Sequence, residues 1–155
     1  MNTEKITVRS LDGEIVDLRE MYRGKPLLIL FFNIQCLGCV GRAIPLAYDF
    51  LQEFNKLNVI AIHTTFGKEA VTKDDIINIF TSKELPYPIY FDIERTNYEK
   101  FECEGTPHWI LMDKDGNVFR SFFGSQENAQ TRLIYALEEL TKESEWKSFG
   151  ITNTL

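Results

Sequence analysis

The sequence predicts an α/β fold, a central mixed β-sheet flanked by helices, and three observations lead to it. Leu27-Leu28-Ile29-Leu30-Phe31-Phe32 is an uninterrupted apolar run, the pattern of a central strand covered on both faces, as in the parallel sheets of α/β proteins. A second run, Asn58-Val59-Ile60-Ala61-Ile62-His63, follows a stretch with helical spacing. Near the end, two apolar segments flank Asp113-Lys114-Asp115-Gly116-Asn117, which reads as a hairpin turn.

In order along the chain, residues 5–8 form a short strand, and residues 11–16 close an N-terminal β-hairpin through Asp12-Gly13. A brief helix over residues 17–22 precedes the Gly24-Lys25-Pro26 breaker, and the central strand starts after Pro26. Beyond Cys39, Val40, Ile44, Ala47, Leu51 and Phe54 recur at helical spacing. Pro45 interrupts that stripe and predicts a kink, because it removes a backbone donor. Thr72 is placed to cap a helix over residues 73–85 with Ile76, Ile77 and Phe80 inward. Residues 88–92 read as a strand and 97–103 as a short helix or turn. Residues 109–112 and 118–122 are the last two strands. The turn between them has a faint calcium-loop look, but the remaining ligand positions are absent. Ala129, Leu133, Ala136, Leu137 and Leu140 give residues 127–141 one apolar side. The expectation is one domain over 1–155, with a core at about 5–141 and a tail at 142–155.

With 155 residues, 44% hydrophobic and 26% charged, the composition is that of an ordinary globular chain without repeats. A net charge of −6 with dispersed basic residues argues against nucleic-acid and anionic-membrane partners. The opening residues are polar and no run is long enough to span a bilayer, so a cytoplasmic address is expected, or an extracytoplasmic one if a leader was removed. Three cysteines do not make a structural disulfide framework. In a reducing compartment, Cys36-Leu37-Gly38-Cys39 is either catalytic or half of a metal site.

Position favours chemistry. The cysteine pair falls at the carboxyl end of the central strand and the amino end of a helix, where open α/β sheets place their ligands. There the free N–H groups and the helix dipole favour a thiolate.

Gly24-Lys25-Pro26 before the apolar strand, the Cys-x-x-Cys, Pro45 in the next helix, Gly105-Thr106-Pro107 and the final Asp-Gly hairpin together resemble the thioredoxin-like superfamily. The nearest branch is the TlpA/ResA-like thiol-disulfide oxidoreductases, and the resemblance runs from about residue 5 to 141. It implies a thioredoxin-like fold with Cys36 as nucleophile and Cys39 as resolving thiol, reducing protein disulfides through a mixed disulfide. Pro107 then resembles the family's cis-proline opposite the cysteines, and Thr106 would offer backbone hydrogen bonds to an extended substrate. No metal and no cofactor beyond the Cys36–Cys39 couple is implied. The partners would be a disulfide-containing client protein and an upstream thiol donor, the chain itself a monomer.

Several residues stay open. His108 either stabilises a thiolate or fills space on the opposite face of its strand. Arg42 either depresses a cysteine pKa or is an ordinary solvated side chain. His63 reads as incidental. Cys103 reads as a small buried hydrophobe, the alternative being a regulatory disulfide with the active pair. The chain also departs from the family. Leu30 stands where many thioredoxins carry a buried acid, Gln35 replaces the Trp before the first cysteine, and Pro45 comes six residues after Cys39 rather than five. A shifted or bulged helix start is expected from that spacing. Two other functions compete: a peroxiredoxin-like thiol peroxidase, which needs a Thr where Asn33 stands, and a copper or zinc carrier using Cys36, Cys39 and His63 or His108.

Overall fold

Seven strands make one mixed sheet in the computed structural model, which describes residues 5–149 and the side chains as far as Thr141. In chain order they are β1 (Thr7–Ser10), β2 (Ile15–Asp17), β3 (Leu27–Phe32), β4 (Asn58–His63), β5 (Ile89–Phe91), β6 (His108–Met112) and β7 (Val118–Phe123). In space they lie β2-β1-β5-β4-β3-β6-β7. β3, β4 and β5 are parallel, while β6 runs antiparallel to β3 and the β1–β2 hairpin joins antiparallel to β5. The architecture is the expected mixed sheet with an added N-terminal hairpin.

All six residues of β3 are buried because both faces of the sheet are covered. Leu28, Leu30 and Phe32 share one face with Val59, Ala61, Trp109 and Leu111, under α2 (Ile44–Glu53) and α5 (Glu127–Phe149). Leu27, Ile29 and Phe31 share the other with Ile60, Ile62, Ile110 and Met112, beneath α1 (Leu18–Met21) and α4 (Thr96–Lys100). Leu30 is fully buried between Ala61 and Trp109. Burial of each such side chain contributes about 1.5–3 kcal/mol, so apolar packing occupies the place of the acid.

Local chemistry sets the ends. The Asp17 carboxylate accepts the amides of Ile6 and Arg19, capping α1 and tying it to the first strand. In the β6–β7 turn the Asp113 carboxylate accepts the amides of Asp115 and Asn117, so its oxygen is committed to the hairpin. α3 (Lys73–Ile77) opens on the expected Thr72 cap, with Asp75 completing a capping box. It ends well short of residue 85. From Ile79 the amides reach back three residues, and the chain reverses at Lys83 with φ of 63°. Tight turns replace the helix because a β-branched run is a poor helix former, while Ile79 and Phe80 still reach the core.

Pro45 does not kink a continuous helix. Residues Cys39–Ala43 form a π-turn in which the Ile44 amide reaches the Cys39 carbonyl, five residues back. α2 then restarts with Pro45 in its first turn, where the missing N–H has no bond to lose. The extra residue between Cys39 and Pro45 is absorbed by this bulge, a feature common at functional sites. α5 continues past residue 141 to Phe149, and residues 150–155 lie outside the described residues.

Two glycine substitutions check this backbone in opposite directions. A Cβ at exposed Gly41 meets nothing within 4 Å, so Gly41→Ala stabilises by about 0.5–1 kcal/mol by reducing the entropy of the unfolded chain. Gly105 has φ of 151°, and a Cβ there would sit 2.6 Å from Phe123 Cε1, so Gly105→Ala destabilises. Urea unfolding of both variants measures the signs, and a destabilising Gly41→Ala would contradict the π-turn backbone.

Candidate active site

At the carboxyl end of β3 the chain turns through Asn33, Ile34 and Gln35 to Cys36, the last residue before the helical run begins at Leu37. The Cys39 and Val40 amides both point at the Cys36 carbonyl, so Cys36 starts the first turn. Cys36 is half-buried, Cys39 is fully buried, and Leu37 between them is 90% exposed. Gly38 is held against its surroundings, since a Cβ there would lie 3.1 Å from Ser125 Oγ and 3.9 Å from Pro107 Cδ. The three cysteines are unbridged.

β6 delivers the opposite wall. The Thr106–Pro107 peptide is cis, and the Cys36 thiol donates to the Thr106 carbonyl at 3.4 Å. The Cys39 amide donates to the Cys36 sulfur at 3.3 Å, where it can stabilise negative charge. Thr106 also favours the Cys39 anion, so one residue bears on both sulfurs. Burial pushes the Cys39 thiol up to about 12, with the Cys36 hydrogen bond adding to it and the Asn33 backbone and Thr106 hydrogen bonds opposing it. Cys36, Cys39, Thr106 and Pro107 thus come together.

His108 does not join them. His108 lies on the Ile110–Met112 face, while Cys39 packs on the other. His108 Nδ1 accepts the Glu104 amide, which puts its proton on Nε2, 2.7 Å from Ser121 Oγ. Burial lowers its pKa, against the pull of Glu104. Arg42 is exposed on the π-turn. Cys103 packs in the second core near Phe31 and Tyr98, with the sheet between it and the active pair. Burial, then the Asp92 charge, pushes its thiol up to about 12. A disulfide with the active pair has no geometry here.

Two residues near the sulfurs carry roles that the sequence reading left unassigned. Asn33 donates its side-chain amide to the Thr64 carbonyl at 2.8 Å and accepts the Gln35 amide at 2.8 Å, and its carbonyl accepts the Cys36 amide. His63 is 1% exposed, wedged between Phe32 and Phe91, and its Nε2 accepts the Ile34 amide at 3.2 Å. Burial holds its pKa down at about 4, against the pull of Asp75. The contact follows from the strand register, which sets His63 level with Phe32 at the end of its buried run. Gln35, in the place of the family's Trp, is bonded to Glu69 of the following loop. Among the described residues no group of three His, Cys, Asp or Glu side chains is arranged to hold a metal.

With this geometry established, residues 3–121 match the AhpC/TSA family. A curated relative, the thiol-disulfide oxidoreductase YkuV of Bacillus subtilis (strain 168), is 30% identical over 110 residues, which span 70% of this chain and 72% of that protein. A thiol-disulfide isomerase from Corynebacterium glutamicum superposes with a TM-score of 0.75 at 23% identity, covering 91% of this chain and 96% of that one. The exposed lipoprotein thioredoxin of Streptococcus pneumoniae strain TIGR4 superposes with a TM-score of 0.70 at 19% identity, covering 88% and 100%. These neighbours share the thioredoxin-like fold.

The lipoprotein corrects one expectation. A cytoplasmic address was expected from the polar opening residues, yet a neighbour of the same fold works as an exposed lipoprotein, and the assignment is withdrawn. The physical reason is that targeting is carried by segments outside the fold, so the folded core has the same appearance on either side of a membrane.

The buried histidine makes stability depend on pH. In the unfolded chain His63 takes up a proton near 6.5, whereas in the fold it resists to about 4. The unfolded state therefore binds more protons in that window, and stability falls as pH drops through it. The loss from this group is at most about 3 kcal/mol. Urea unfolding between pH 7 and 4, as the difference between wild type and His63→Gln, measures it without the parallel contribution of His108. A flat difference would contradict a buried neutral His63.

Proposed function

This chain belongs to the AhpC/TSA family and is a thiol-disulfide oxidoreductase of the thioredoxin-like type, and on that premise we propose that it reduces protein disulfides with Cys36 as nucleophile and Cys39 as resolving thiol. The observation that carries the assignment is the asymmetry of the two sulfurs. Cys36 is partly accessible and receives an amide N–H, while Cys39 is buried with its thiol held protonated.

The cycle balances as two thiol-disulfide exchanges. The Cys36 thiolate attacks one sulfur of the client disulfide, forming a Cys36–client bond, and the other client sulfur leaves as a thiolate that takes a proton. Cys39 then loses its proton and attacks the Cys36 sulfur. The Cys36–Cys39 disulfide forms and the second client sulfur is released. Two electrons have passed from the dithiol to the client, and an upstream thiol donor restores the pair. The Asn33 backbone and Thr106 hydrogen bonds favour the Cys39 anion at the second step. The Thr106 backbone, beside Cys36, is the edge along which an extended client segment would pair. The couple itself is the only redox group the cycle requires.

The competing functions find less support. Asn33 stands where a peroxidase needs Thr, with both ends of its side chain engaged. For a metal carrier, His63 Nε2 is committed to a backbone amide and His108 lies across the sheet.

Insulin reduction with dithiothreitol as donor tests the assignment. Cys36→Ser abolishes turnover, and reduced Cys39→Ser mixed with insulin in the absence of dithiothreitol accumulates a covalent client adduct at Cys36 that added dithiothreitol releases. Unchanged turnover in Cys36→Ser would overturn the assignment, and peroxide consumption without insulin reduction would favour the peroxidase.

A further inference from the structure

The turn that delivers Cys36 is held at each of its amides. Gln35 and Cys36 donate within the turn, to the Asn33 side chain and carbonyl, but Ile34 donates out of it, to His63 at the end of β4. With the Asn33–Thr64 bond, this contact fixes the turn relative to the sheet. An amide can donate to Nε2 only where that nitrogen keeps its lone pair, so the His63 proton sits on Nδ1. That Nδ1–H is buried and has no partner among the described residues. Between Phe32 and Phe91, an apolar side chain would avoid an unsatisfied donor. What a histidine supplies here, and a leucine does not, is the acceptor for Ile34.

We propose that His63 is a positioning residue for thiol-disulfide exchange: its neutral Nε2 anchors the Ile34 amide to β4 and so sets where the Cys36 sulfur lies relative to the Cys39 amide and the Thr106 carbonyl. The inference rests on Cys36 being the reacting sulfur. Protonation of the ring replaces the lone pair by a second N–H, and Ile34 loses its acceptor. The charged groups around the ring come from several elements. Arg9, Glu69, Lys73 and Asp92 line with it a cleft of about 360 Å³, and Asp75 faces it from α3. Asp92 is already engaged by the Thr64 hydroxyl and the amides of Ile93, Asn97 and Tyr98, and Lys73 by Asp12.

Two measurements on the full chain test this. Long-range proton–nitrogen NMR at pH 7 reads the tautomer of His63 directly; protonation on Nδ1 is expected, and a proton on Nε2 would overturn the proposal. Reaction of the reduced protein with glutathione disulfide, which needs no client docking, is then compared in His63→Gln and His63→Leu. The Leu variant slows by roughly tenfold, the scale of one lost positioning hydrogen bond, and Gln, whose carbonyl oxygen reaches about as far as Nε2, stays within about threefold. The reduction potential of the Cys36–Cys39 couple shifts in the Leu variant and is retained in the Gln variant. A folded Leu variant with wild-type rate and potential, or a Gln variant that falls as far, would overturn the role. If Leu fails to fold, the tautomer and the Gln rate still decide it. Failure of the Cys36 assignment would appear separately, as glutathione disulfide reduction surviving in Cys36→Ser.

Discussion

The parallel register of β3 and β4, which sets Phe32 level with His63, is the constraint on which the site depends. Two strands that end at one level leave the turn after β3 lying over the residues that end β4. Asn33 then meets the Thr64 carbonyl, and the Ile34 amide meets His63. On the other side of β3, β6 begins antiparallel with His108 opposite Phe31, so the residues just before it, Thr106 and Pro107, arrive at the cysteines. The register is in turn enforced by burial on both faces, because a slip of one residue would exchange the two sets of side chains that form the two cores.

The chemistry follows from placing two like groups in unlike surroundings. Cys36 sits at the mouth of the helix with access to solvent, whereas Cys39 is one turn further in, against Phe32, Ala43 and the rest of the first core. Desolvation dominates at the inner sulfur and outweighs the hydrogen bonds that oppose it. The π-turn keeps this difference while accommodating an additional residue: it lets both Cys39 and Ile44 remain buried and leaves Pro45 where a missing donor is harmless. With Leu30 in place of an acid, the interior beneath the pair offers packing and no proton acceptor at that position.

Much of this was legible in the sequence, for identifiable reasons. The β3 and β4 runs are long and apolar, so their extents follow from burial alone, and the cysteine pair is located by where the first run stops. The N-terminal hairpin and the Asp113–Asn117 turn are set by local turn residues. α3 was overestimated because Thr72 fixes only where a helix starts, and its length is decided by how Ile79 and Phe80 reach the core. The form of the bulge after Cys39 was hidden because spacing counts residues without stating the hydrogen-bond partner. His63 reads as incidental because the amide it accepts, that of Ile34, lies 29 residues away along the chain. For His108, the face it takes is fixed by the pairing register of β6, which the bare sequence leaves open. The compartment was not legible at all, since fold and site do not encode it.

The asymmetry of the two sulfurs is tested most directly by the order in which they react. The fully reduced protein is treated with limiting iodoacetamide near neutral pH in native buffer, and the labelled cysteine is identified by peptide mass spectrometry over time. Cys36 is expected to be alkylated first, at least about tenfold ahead of Cys39 and Cys103. Equal labelling of Cys36 and Cys39, or labelling of Cys39 first, would contradict it.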